Sequence, residues 1–130
     1  MIKDAIVVEH EEPGVAVVGL WGEHESYGAP ALERRLASLL TEDVAVVVDL
    51  SRTTFVDSTT LLALLRARRL AEERGLGFVL QMDDSTGEYV RRTFEITRLT
   101  SVFSTSRTRA EAVEAARAGG SAPDLGAEPA

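Results

Sequence analysis

Apolar residues in this chain come in two rhythms, short β-branched runs and longer stretches with helical spacing. AIVVEH (residues 5–10) and VAVVGLWG (15–22) flank EEPG, where Pro13 presets φ and Gly14 tolerates a positive φ, so the two runs read as a hairpin. After the loop EHESYGAP, the segment ALERRLASLL sets Leu32, Leu36, Leu39 and Leu40 on one helical face, with Arg34 and Arg35 turned away. VAVVVDL (44–50) is continuously apolar rather than alternating, which suits a central strand covered on one face and close to covered on both.

The next helix follows FVDSTT and is leucine-rich nearly all round over residues 61–65, so its first half is expected to be the buried half. Glu72, Glu73 and Arg74 make it polar before Gly75 and Gly77 stop it. GFVLQM supplies a strand, STGEYVRRTFEITRL a short helix with Val90 and Phe94 one turn apart, and SVFS (101–104) a further short strand. Thr108 and Glu111 have capping-box spacing ahead of a last helix whose Ala112, Val113 and Ala116 can pack on a sheet.

The predicted order β-β-α-β-α-β-α-β-α describes an α/β fold: one mixed sheet with about four helices packed on it, and parallel strands wherever a helix intervenes. Residues 1–118 are assigned to one domain and 119–130, beginning at Gly119-Gly120, to a disordered tail. No internal repeat is present.

Composition narrows the partners. A formal net charge of −7 and a pI near 4.8 set the chain against nucleic acid and anionic membranes, leaving proteins as the expected partners. The charge is uneven: residues 1–50 carry 10 acidic and 3 basic side chains, residues 51–110 carry 7 and 10. Arg66, Arg68, Arg69 and Arg74 stripe one predicted helix, which is first of all a solvated face and second a protein contact. With no cysteine, no basic-then-apolar leader and no apolar run of membrane-spanning length, a cytoplasmic protein is expected.

Little in the chain suggests chemistry. His10 and His24, the only histidines, lack metal-ligand spacing, so no metal is assigned, and no glycine-rich phosphate loop supports a nucleotide cofactor. Ser58 sits at a strand-to-helix turn, as hydrolase nucleophiles do, but its flanks Val56, Asp57, Thr59 and Thr60 are not a nucleophile elbow and no base is in sequence reach. An enzyme is not expected. Trp21, the only tryptophan, reads as core or rim packing ahead of a partner anchor. What remains is the row Asp57, Ser58, Thr59 and Thr60, since a helix start needs only one or two such groups as caps.

VVVDLSRTTFVDSTTLLALL resembles the STAS family, specifically the bacterial anti-sigma factor antagonists. Asp49, Leu50, Ser51, Phe55, Val56, Asp57, Ser58, Thr59 and Leu61 stand where that family's pattern places an Asp-Leu-Ser strand end, an apolar pair, an Asp-Ser pair, a second hydroxyl residue and a leucine-rich helix. GLWGEHESYGAPALERRL is similar to the family's Gly-Glu-Leu-Asp loop, with His24 and Glu25 in place of the last two residues. TFEITRLTSVFSTSRTRAEAV resembles its closing helix-strand-helix, and the likeness covers about residues 5–117. Thr60 and Leu62 stand where the family often has glycine.

The resemblance implies a partner-switching protein that uses no cofactor of its own. Its unphosphorylated form would bind an anti-sigma factor that is a serine kinase and so free a sigma factor. Phosphorylation at Ser58 would end that binding, and a PP2C-type phosphatase would restore it. The surface implied for the partner is Glu25, Asp57, Ser58, Thr59 and Thr60. The alternative is a STAS domain that never switches, serving as a scaffold or as a subunit of a signalling or lipid-transport assembly. The oligomeric state is left open.

Overall fold

The computed structural model describes residues 4–25 and 27–119. The expected tail, 119–130, lies outside the described residues except for Gly119. Strands β1 (Ala5–Glu11) and β2 (Val15–His24) form the hairpin, with Gly14 at φ 76° in its turn. The order continues with α1 (Ala29–Thr41), β3 (Ala45–Asp49), β4 (Thr53–Val56), α2 (Ser58–Glu73), β5 (Phe78–Gln81), α3 (Glu88–Ile96), a 3-10 turn (Leu99–Ser101), β6 (Ser104–Ser106) and α4 (Arg109–Arg117). The sheet runs β1-β2-β3-β5-β6; β1 pairs antiparallel and the strands joined through helices pair parallel.

Both faces of the sheet are covered, which explains the unbroken apolar run of β3. Ala16, Val18, Leu20, Val46, Val48, Leu50, Phe78 and Leu80 point to one face, where they meet leucines of α1 and α2 with Val90 and Phe94 of α3. Val15, Val17, Ala45, Val47 and Val79 point to the other, where Ala112, Val113 and Ala116 of α4 cover them. Leu32, Leu36 and Leu40 are fully buried, each worth about 1.5–3 kcal/mol relative to exposure. None of the described helices is long and apolar enough to cross a membrane.

Three elements differ from the sequence pattern. β4 is an additional strand, parallel to the far end of β2 and displaced by a register shift between Gly22 and Glu23. Its sequence TTFV has β propensity, but a strand three residues after β3 was not expected from spacing. The last strand lies three residues later than SVFS, because Leu99–Ser101 closes a 3-10 turn that sends Phe103 into the core against Phe78 and Phe94. In α2 the buried stripe runs on through Ala67 and Ala71, and Leu62 is 44% exposed, so the first half is not buried all round.

The arginine stripe of α2 is a solvated face tied to its own chain. Arg66 pairs with Glu33 and Arg74 with Asp43, while Arg68 and Arg69 pair with Glu72 and Glu73 one turn on. The exposed pairs of Arg66, Arg69 and Arg74 contribute about 0–1 kcal/mol each and neutralise the stripe more than they stabilise it, whereas Arg68 is half-buried, its Nε without a hydrogen-bond partner among the described residues.

Gly77 marks where α4 meets the sheet: a Cβ there would run into the backbone of Ala116. Gly77→Ala should therefore displace α4 and lower stability by about 1–3 kcal/mol, read as a fall in melting temperature with the helical signal largely retained.

Candidate functional site

The hydroxyl row is sorted by the way α2 begins. Asp57 is the N-cap: its Oδ1 accepts from the Thr60 N–H at 3.0 Å and from the Thr59 hydroxyl at 2.7 Å. Thr60 is fully buried, and its hydroxyl donates to the carbonyl of His24 at 2.9 Å. The same carbonyl accepts the Asp57 N–H at 3.2 Å, which continues the β2–β4 ladder into the helix start. Thr53, also fully buried, donates its hydroxyl to Leu20 O at 2.6 Å and secures the other end of β4.

Ser58 is left over. It occupies the first position of α2, exposed, and its hydroxyl makes no hydrogen bond to any described residue. The capping that a serine there might have supplied comes from Asp57 instead. At this position the first backbone N–H groups of the helix are open and the positive end of its dipole is nearest.

Of the residues assigned to a partner surface, Asp57, Ser58 and Thr59 therefore lie together at the α2 N-terminus. Glu25, exposed, follows directly on the His24 carbonyl that binds that terminus, so its loop does come near. Thr60 has to be corrected: its side chain is enclosed and its hydroxyl is used inside the protein, so it positions the helix and offers no contact. Two exposed apolar residues join the same region without having been singled out as contacts. Tyr27, in the loop before α1, is 92% exposed, and Leu62 lies one turn along α2 from Ser58. Below them Phe55 of β4 stacks on Tyr89 of α3, with ring centroids 5.0 Å apart. The local signals for Tyr27 and Leu62 were weak, because an apolar residue in a loop or on a leucine-rich helix looks the same whether exposed or covered.

Neither histidine ring is hydrogen-bonded to Ser58 among the described residues. His10 is exposed on β1, and His24 is buried with Nε2 3.0 Å from the carbonyl of Trp21. Among the described residues no group of His, Asp and Glu is arranged to hold a metal.

With this geometry in view, the chain was compared with known proteins. A family model described as "Mlab, STAS domain" matches residues 7–104, most of the chain. The chain belongs to the STAS domain family. Among solved structures, an anti-sigma factor antagonist from Mycobacterium paratuberculosis is 30% identical with a TM-score of 0.74, covering 88% of this chain and 95% of that one. The Bacillus cell fate determinant SpoIIAA in its phosphorylated form is 19% identical with a TM-score of 0.63, covering 85% and 97%. SpoIIAA in its unphosphorylated form, an anti-sigma factor antagonist, is 16% identical with a TM-score of 0.55, covering 72% and 98%. At these lower identities the SpoIIAA structures speak for the fold alone. No curated protein matches the chain.

In this STAS domain the β4 turn is braced from one further side. Gly87 donates its N–H to Thr53 O at 2.9 Å, and a Cβ on Gly87 would meet that oxygen at 2.9 Å, so α3 starts hard against β4. The loop before it is ordered by Asp83, whose carboxylate accepts from the hydroxyl and N–H of Ser85. Those bonds hold the Asp83 pKa below its ordinary value of 3.8, with smaller help from the Thr86 N–H and the charge of Arg107.

Two outcomes follow for this STAS domain. Thr60→Val should lower unfolding stability by about 1 kcal/mol, while Ser58→Ala changes it by less than about 0.5 kcal/mol, both read by denaturant titration. A depressed carboxylate pKa gives stability that is present above the unfolded value and lost as pH falls through the folded one. Asp83→Asn should therefore be less stable than the parent at neutral pH, and the difference should vanish in acid below the ordinary value of 3.8, as melting curves across pH would record.

Proposed function

We propose that this STAS domain is an anti-sigma factor antagonist switched by phosphorylation of Ser58. The observation that carries the reading is the division of labour at the α2 N-terminus: Asp57 caps the helix, Thr60 anchors it, and the Ser58 hydroxyl is exposed and makes no hydrogen bond to any described residue. A kinase can reach that oxygen without breaking a hydrogen bond of the fold. Likeness to an anti-sigma factor antagonist over 88% of the chain supports the same reading.

The unphosphorylated domain docks on an anti-sigma factor that is a serine kinase, through Asp57, Ser58, Thr59 and Glu25, with Tyr27 and Leu62 as the exposed apolar part of the contact. Phosphate on Ser58 adds about −1.5 to −2 charges beside Asp57 and near Glu25. At a helix N-terminus that charge is tolerated by the free N–H groups and the dipole, so the domain stays folded. A partner surface fitted to a neutral hydroxyl then faces like charge and a phosphate that must be desolvated, and it is released. A phosphatase of the PP2C type resets the hydroxyl, and the cycle takes place in the cytoplasm.

The test is binding of the cognate anti-sigma kinase by calorimetry. Ser58→Ala should bind as the parent does and accept no phosphate in a kinase assay, whereas Ser58→Asp should bind about tenfold more weakly or worse. Equal binding by parent, Ser58→Ala and Ser58→Asp would replace the switch with a constitutive scaffold.

A further inference from the structure

The face of the sheet that α4 covers is covered only in part. α4 packs on Val15, Val17, Ala45, Val47 and Val79, and the cross-strand row beyond them, Val7, Gly19 and Asp49, is left facing a cavity of about 400 Å³. The first residue of α4, Arg109, forms one wall, and Trp21 with Arg52 forms the opposite one. That volume falls in the range of small-molecule sites, and it lies at the carboxyl end of β3, beside the middle of β2.

The polar groups in this cavity are unequally committed. Arg109 is taken up by the chain itself: its Nη2 lies 2.6 Å from Glu9 and its Nη1 3.5 Å from Glu11. Arg52 has no carboxylate partner among the described residues, and its guanidinium carbon lies 5.0 Å from the centre of the Trp21 ring. Asp49 spends Oδ1 on the Ser51 N–H at 2.9 Å and keeps its second oxygen unbonded among the described residues. Outside the cavity lining, Gln81, the cross-strand neighbour of Asp49, is buried with an Oε1 that has no hydrogen-bond partner among the described residues. Gly19, which contributes no side chain to the floor, lies beneath the indole: a Cβ there would come within 3.2 Å of Trp21 Nε1.

We infer that this cavity binds a small zwitterion of the amino-acid class, with its carboxylate on Arg52 and its ammonium group on Asp49. Glu9, Asp49, Arg52 and Arg109 cancel in formal charge, so the pocket offers no net attraction to an ion of one sign. Phosphate-like anions meet Glu9 and Asp49; metal cations meet Arg52 and Arg109. A molecule carrying both charges satisfies the uncommitted cation and the uncommitted carboxylate oxygen together, and its side chain lies against Val7 and the indole. The site is on the sheet face opposite α2, so it stands whether or not Ser58 is a switch.

Trp21 is the only tryptophan and lines the cavity, so its fluorescence reports occupancy directly. The full chain is titrated with glycine, L-leucine and L-phenylalanine into the millimolar range, and with isocaproate and isoamylamine, which carry only one of the two charges of leucine. Melting temperature is followed in parallel as a readout independent of the indole. The inference expects a saturable change and a raised melting temperature with at least one amino acid. Isocaproate and isoamylamine should bind about tenfold more weakly or worse than leucine, and Arg52→Gln and Asp49→Asn should each weaken the amino acid about tenfold or more. Asn at position 49 still accepts the Ser51 N–H, so that variant is expected to fold. Absence of any saturable response in both readouts, equal response to the singly charged analogues, or undiminished binding by Arg52→Gln would overturn it.

Discussion

The carbonyl oxygen of His24 holds the end of β2, the end of β4 and the start of α2 together. It ends β2, accepts the N–H of Asp57 at the end of the β4 ladder, and accepts the buried hydroxyl of Thr60 in the first turn of α2. One acceptor thus fixes where the strand stops, where the helix starts and which way its first residue faces. Because Thr60 is turned inward and Asp57 folds back to cap, Ser58 between them is left facing solvent. The loop carrying Glu25 and Tyr27 continues from the same carbonyl, so its first residue, the exposed Glu25, follows directly on the acceptor that holds the helix start.

This arrangement separates the groups that hold α2 in place from the exposed serine. The groups that hold α2 in place are a carboxylate and an enclosed hydroxyl, and neither is the group proposed to be modified. In the proposed switch, a phosphate at the first helical position would meet open N–H groups and the positive end of the dipole, so the fold would carry the charge while a docked surface would reject it. Had Ser58 been the cap, phosphorylation would have removed the bond that starts the helix, and modification would have competed with folding.

The two faces of the sheet are used differently. α1, α2 and α3 close one face into the main core, and α4 alone covers the other. α4 begins at Arg109 on the edge of the cavity and does not cover Gly19 and Asp49, so the polar row there stays open and its charges are paired only in part. Arg109 and Glu9 form a closed pair, whereas Arg52 rests on an aromatic face with no carboxylate partner among the described residues.

The sequence alone carried the class of fold, the hairpin at Pro13-Gly14, and the order of helices and principal strands. Those are properties of local pattern: Leu32, Leu36 and Leu40 repeat with the helix, and the unbroken valines of β3 require cover on both sides. Tertiary structure decided what local pattern has no means to encode. It made 53–56 a strand by supplying the end of β2 as a parallel partner, and it moved β6 by three residues because Phe103 had to reach Phe78 and Phe94. It also divided four adjacent polar side chains into a cap, an exposed serine, a hydroxyl bonded to the cap and a buried anchor. Asp57, Ser58, Thr59 and Thr60 are nearly interchangeable as candidate caps in sequence; which one meets a carbonyl from a strand 36 residues earlier in the chain is settled only when that strand is in place.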